Sequence, residues 1–300
     1  MKKYFVITAL PVLLALVLSG CIKFTEVKSQ PDTTAAEETV MTTFMHESTV
    51  PATEYVAPFD TPTAAPEYTP SVTSAPPNSA DADLSAMNKE ELLTYFNNAV
   101  NKIKLSRLGF TRTVTYSAKD ISFSNPLADS FAGVIKSALV PSSGSVTSVT
   151  AGNPCDALVS PSNVPYVSAL FPEDVDDCSA VPQNGGYVIT VRVKGENNPS
   201  ATGSISSRIF DVLTPQAFAS AYAPQIGADV SAANTAISVS GSYARAVLDA
   251  EGNVTEYETC VENNVKITGA KFRVMTSDIS VVLEERTVYS DIRYSNGIEF

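Results

Sequence analysis

Four cysteines and one histidine are the residues of this 300-residue chain most given to covalent or metal chemistry, and their positions limit what they can do. His46 lies in a Thr/Pro-rich stretch, so the region that follows has no Ser-His-Asp or Cys-His nucleophile system and no histidine to ligate zinc or copper. No Ser-x-x-Lys occurs beyond that stretch, "QNGGY" at Gly185 and Gly186 reads as a turn, and "SSGSVTS" around Gly144 lacks the lysine of a phosphate-binding loop. The acidic run "EDVDDC", with Glu173, Asp174, Asp176 and Asp177, offers oxygen atoms to calcium. It lacks the glycine and terminal glutamate of an EF-hand loop, and clustered acids on a loop are usually just solvated. Paired carboxylates can hydrolyse glycosides. There is no tryptophan to stack on a sugar, although Tyr187, Tyr222, Tyr243, Tyr257 and Tyr289 remain. The inventory points away from catalysis, metals and cofactors, and toward binding.

Cys21 is the cysteine whose neighbours specify a reaction. Lys2 and Lys3 precede an apolar segment from Phe5 to Leu18, broken only by Thr8 and Pro11. A membrane span needs about 20 apolar residues and a signal h-region about 7 to 15, so the length predicts an export signal. The sequence Leu18-Ser19-Gly20-Cys21 places small residues where a peptidase cleft can accept them, directly before a thiol that can be alkylated. This closely resembles the lipobox of bacterial lipoproteins. The resemblance implies recognition of Leu18, Ser19 and Gly20 by the signal peptidase, cleavage before Cys21, and diacylglycerol on the Cys21 sulfur. It also implies a mature protein held outside the cytosol on the bacterial cell membrane, since two acyl chains anchor stably where one is marginal.

Residues 1–20 are thus read as the signal peptide and residues 21–84 as the lipidated cysteine and a tether. The tether is rich in Thr, Pro and Ala, without hydrophobic periodicity, and cannot offset its ordering entropy by burying apolar surface. As a flexible coil it spans on the order of 45 Å r.m.s., enough to carry a domain away from a bilayer. Most of the chain's net charge of −12 also lies here, where Lys23 and Lys28 face ten acidic residues. Neither tether nor domain has the basic footprint that nucleic-acid binding requires.

Residues 85–300 read as one α+β domain. Asn88 followed by Glu91 predicts a capping box opening a helix, and Leu92, Tyr95, Phe96, Ala99, Val100 and Ile103 form one apolar face, with Lys102 and Lys104 at the negative end of the dipole. The "YFNNAVNKIK" of this helix resembles the opening of uncharacterised lipoprotein domains from Gram-positive, clostridial-type bacteria; the likeness implies no functional residues. A second helix is expected after Asn125, with Pro126 at its first position, burying Leu127, Phe131, Val134, Ile135 and Ala138. A third is expected at Thr214-Pro215, carrying Phe218 and Tyr222. Strands are expected at Thr111–Phe123, Gly186–Lys194, Ala236–Leu248, Val254–Val261, Val265–Met275 and Ile279–Tyr289, with "DAEGN" turning a hairpin between the third and fourth. Short turns between strands predict an antiparallel, curved sheet packed on the first helix.

Cys155 and Cys178 lie in one proline-rich region, where a disulfide would close a loop of about 23 residues and add about 3 kcal/mol if unstrained; reduced thiols are the alternative. Cys260 reads as a buried free thiol in a strand. The surplus of Val, Ile, Phe and Tyr in the strands is either core or the lining of a groove for an apolar ligand or lipid. The alternative to a ligand groove is a module gripping a protein or cell-wall polymer at the end of its tether. A transporter's solute receptor fits less well, because it needs alternating β and α units.

Overall fold

The computed structural model describes residues 83–140, 144–273 and 275–294. The signal, Leu18 to Cys21, His46 and nearly all of the tether lie outside the described residues. Helix α1, Lys89–Leu105, starts as its sequence dictates: the Asn88 side chain accepts from the backbone N–H of Glu90 and Glu91, and Glu91 closes the box on the backbone N–H of Asn88. Its apolar face is fully buried, with Phe96, Ala99, Val100 and Ile103 at 0% exposure. Burial on that scale stabilises by about 1.5–3 kcal/mol for each large side chain.

The remaining elements are β1 (Gly109–Phe123), α2 (Ala132–Leu139), β2 (Ser145–Val149), β3 (Val175–Gln183), β4 (Gly186–Val193), β5 (Glu196–Asn197), α3 (Pro215–Ile226), β6 (Thr235–Val239), β7 (Tyr243–Leu248), β8 (Val254–Lys271) and β9 (Thr276–Arg293). Among the described residues the fold is α+β, with three α-helices and a nine-stranded antiparallel sheet in the order β2-β1-β9-β8-β7-β4-β3, β5 and β6 lying off this path. Strand β8 pairs with β7 over its first half and with β6 over its second, and β5 pairs with β6. Bulges interrupt the register of β1 with β9 and of β8 with β9, the places where such long strands bend. Among the described residues no helix is long and apolar enough to cross a membrane.

Four expectations are corrected. The segment Ala236–Leu248 is two strands, because Gly241 adopts φ 68° and redirects the chain between β6 and β7. Conversely, the polar "ENN" at 262–264 does not end a strand. Its backbone groups are met by β9 on one side and by the β6–β7 edge on the other, so β8 runs unbroken through it. The "EDVDDC" region is a short 3₁₀ turn leading into β3, an edge strand whose hairpin with β4 turns on Asn184 and Gly185, both at positive φ. Acidic residues and Pro182 in β3 suit an edge rather than a central strand. Finally, the helix after Asn125 begins as 3₁₀, Pro126–Phe131, before α2. Three residues per turn shift the buried face relative to an α-helical reading. Ile135 is buried as expected, but Ala128 and Leu139 complete the face while Leu127, Phe131 and Val134 are exposed and Ala138 is half-buried.

All three helices pack on one face of the sheet and build two apolar cores along β8 and β9. The first joins α1 to β4, β7, Tyr257 of β8 and Tyr289 of β9. The second joins α2 and α3 to β6 and to Val265, Ile267, Ile279, Val281 and Leu283. Tyr257 and Tyr289 are register partners, stacked at 5.6 Å between ring centroids, with Phe110 edge-on to Tyr289 at 5.4 Å. Side chains thus fill the space between α1 and the sheet.

Candidate functional site: a polar recess between two cores

Alternation along β9 puts Ile279, Val281, Leu283, Glu285, Thr287 and Tyr289 on the helix-bearing face, and the two cores account for the apolar members. Glu285 interrupts the row. On β8 the matching interruption is Asn263, between Val261 and Val265, and β1 contributes Tyr116 beside Glu285. These residues line a recess of about 70 Å³, completed by Asp211 from the segment before α3 and Tyr222 from α3.

Each lining group is positioned from a different element. Thr214 caps α3 by accepting from Ala217 N–H, and Phe218, fully buried, braces Tyr222 at 5.0 Å between centroids. Asp211 is fixed by Ser162 N–H at 2.6 Å, Ser160 Oγ at 2.7 Å and Ser162 Oγ at 3.0 Å. The serine-bearing segment is in turn gripped by one face of α1. Lys104 Nζ donates to the carbonyls of Pro161 at 2.6 Å and Val164 at 3.1 Å. Asn101 accepts from Val167 and Ser168 N–H and donates to the Ser168 carbonyl; Asn97 accepts from Ser168 Oγ and donates to the Leu170 carbonyl. Positions 97, 101 and 104 share one side of a helix, so α1 both fills the first core and sets where Asp211 stands.

The electrostatics of the recess follow from its depth. Burial pushes the Glu285 carboxyl up; Arg112 opposes this and Asp211 adds to it. Burial and the Glu285 charge also raise the phenols of Tyr116 and Tyr222. Asn263 is 7% exposed, and its Oδ1 has no hydrogen-bond partner. A buried acceptor without a donor costs about 1–3 kcal/mol.

The helix-free face of the sheet carries a second charged cluster, and it is structural. Glu258, with its side chain 3% exposed, accepts from Tyr243 Oη at 2.6 Å and Arg286 Nε at 2.7 Å, and Arg245 lies 3.5 Å away. Burial would raise its carboxyl, but those hydrogen bonds and charges outweigh burial and hold it below the usual glutamate range. Every group there already has its partner.

The residues singled out from the sequence fall elsewhere. Asp174 is buried and pairs with Arg208, while Asp176 and Asp177 lie on exposed positions of β3. Cys155 and Cys178 are not joined in this structure. Both are free, the Cys155 thiol turned toward the Ile103 carbonyl of α1 at 3.8 Å and Cys178 half-buried on β3. Burial pushes the Cys178 thiol up to about 12 and that of Cys260, also free, to about 11, so neither is a ready nucleophile. Of the tyrosines named, only Tyr222 reaches the recess. Glu285, Asp211 and Asn263 were not singled out, although a glutamate and an asparagine at apolar-parity positions of two strands are visible signals. No protein-family model, curated protein or solved structure matches this chain.

Proposed function

We propose that this chain is a lipid-anchored extracytoplasmic binding protein of the bacterial cell surface. On this reading its domain engages a protein or cell-wall component through the recess bounded by Glu285, Asp211, Tyr116 and Tyr222. The observation that carries the binding role is the recess itself. Convergent carboxyls, aromatic rings and the Asn263 side chain surround about 70 Å³, well below the 300–1,000 Å³ of sites that enclose a whole small molecule. Such a volume suits the end of a side chain presented by a larger partner. It offers little to an acyl chain, and the filled space beneath α1 weighs the same way. The lipobox at Leu18 to Cys21 carries the anchoring role, and the acidic tether supplies reach.

Two measurements test the reading. Cells grown on labelled palmitate should yield labelled protein whose mature form begins at Cys21; an unlabelled protein removes the anchor. The chain from residue 21 onward carrying Cys21→Ser, which lacks both the signal and the acyl group, should sediment saturably with isolated cell envelopes, and Tyr116→Ala should weaken this by about tenfold. Equal sedimentation of the two chains would remove the recess from the interaction.

A further inference from the structure

Apolar side chains are exposed together at one end of the sheet. The helical segment 126–139 leaves Leu127 at 76% exposure, Val134 at 63% and Phe131 at 36%. Their spacing of four and three residues is that of neighbours along a helix. The Phe131 ring stacks on Phe272 with centroids 6.3 Å apart, and Phe272 opens the turn between β8 and β9, where its N–H donates to the Met275 carbonyl. Exposed apolar residues scattered singly need no explanation, but a cluster shared by two elements marks a surface that meets something apolar.

The opposite end of the sheet receives the tether. Asp83 accepts from Tyr187 Oη at 3.4 Å, and Tyr187 pairs with Leu248, next to the β7–β8 turn. From that turn β8 runs 18 residues to the apolar tip, about 55 Å of strand. A coil of the tether's length spans on the order of 45 Å r.m.s., so a domain standing tip-down on a bilayer keeps Asp83 within reach of a lipidated Cys21. Charge favours the same orientation. Asp83, Asp249 and Glu251 make the tether end acidic, whereas around the tip Lys136, Lys266, Lys271 and Arg273 offset Asp120, Asp129, Asp229 and Asp278. An anionic lipid surface repels the first end and spares the second.

Size decides between occupants. A stable protein interface takes about 20–30 residues a side, far more than this cluster offers. An anchored domain needs much less, because its tether already holds it at high effective concentration over the lipid. We propose that Leu127, Phe131, Val134 and Phe272 rest in the interfacial layer of the bilayer that carries the anchor, so that the domain stands on its tip with the tether running alongside. The assignment rests on the anchored placement proposed above and adds an orientation to it; the recess plays no part.

The chain has no tryptophan, so Leu127→Trp supplies a single fluorescent reporter at the tip. Val181→Trp, at a 60% exposed site of the edge strand β3 near the tether end, is the control. Each is read in acylated protein reconstituted into vesicles of phosphatidylglycerol and phosphatidylcholine, with and without bromine on the acyl chains. Each is also read in the chain from residue 21 onward carrying Cys21→Ser, added to the same vesicles. The tip reporter should shift to the blue and be quenched by bromine while the control does neither, and the unacylated chain should need about tenfold more lipid or beyond. Adding Val134→Asp should raise the lipid required by about tenfold again; that site is exposed, so the cores stay intact, and circular dichroism verifies folding. A tip reporter unmoved by vesicles in both proteins overturns the proposal. So does a blue shift without bromine quenching, which would make a second copy the occupant, and so does equal quenching of the control. Palmitate labelling separates the two levels. Labelled protein with an unquenched tip keeps the anchor and loses the contact, whereas unlabelled protein with a quenched tip loses the anchor and keeps the contact.

Discussion

Glu285 shows how a single buried carboxyl in the recess can act against stability. Because burial raises its carboxyl above the unfolded value, the folded chain holds that proton more tightly than the unfolded chain does. Stability therefore falls as pH rises through the raised value. The penalty is complete above that value and absent below the unfolded glutamate pKa of about 4.3. Glu285→Gln should accordingly melt higher than the parent near pH 7, with a gain on the order of 1 kcal/mol or less after solvent screening. The gain should vanish near pH 4 in matched urea or thermal melts. A gain of equal size at both pH values would mean that packing, not ionisation, sets the difference. Glu258, on the other face, has the opposite sign: its lowered carboxyl contributes stability that is lost as pH falls through it.

At the scale of the elements, α1 is the part whose sequence and structure agree most closely, and it does more than its amphipathic pattern announces. The capping box and buried stripe rest on neighbours three and four residues away, so they are visible in the sequence. The role of Asn97 and Asn101 depends on a segment about 70 residues further on and is not. Asn101→Ala strips three hydrogen bonds from buried backbone and should cost about 2–4 kcal/mol in chemical denaturation. It should also loosen Asp211, since the same segment carries Ser160 and Ser162. A cost under about 0.5 kcal/mol would show that the segment holds itself. The strands follow the same rule. The β7–β8 hairpin was legible because Asp249 and Gly252 form the turn locally. The existence of β3 and the continuity of β8 were not, because only partners distant in sequence supply the pairing that overrides acidic or polar composition.

For the whole molecule, the cysteines give one experiment that reads anchor and cross-linking together. In the unreduced, denatured protein, Cys155, Cys178 and Cys260 should titrate as three thiols when Cys21 carries its thioether. Four would indicate an unmodified Cys21, and one a Cys155–Cys178 bridge. In the native state the raised thiols of Cys178 and Cys260 should react slowly with a disulfide reagent at pH 8.

Strand order adds a temporal consequence. Among the described strands β9 comes last in sequence, yet it is not at an edge but between β1 and β8, closing a ladder that joins Gly109 to Arg293. Until β9 leaves the ribosome, each half of the sheet lacks its shared neighbour and neither core can be sealed. Nascent chains arrested before β9 emerges should therefore remain protease-sensitive, which keeps the polypeptide loose while the preceding strands are being made.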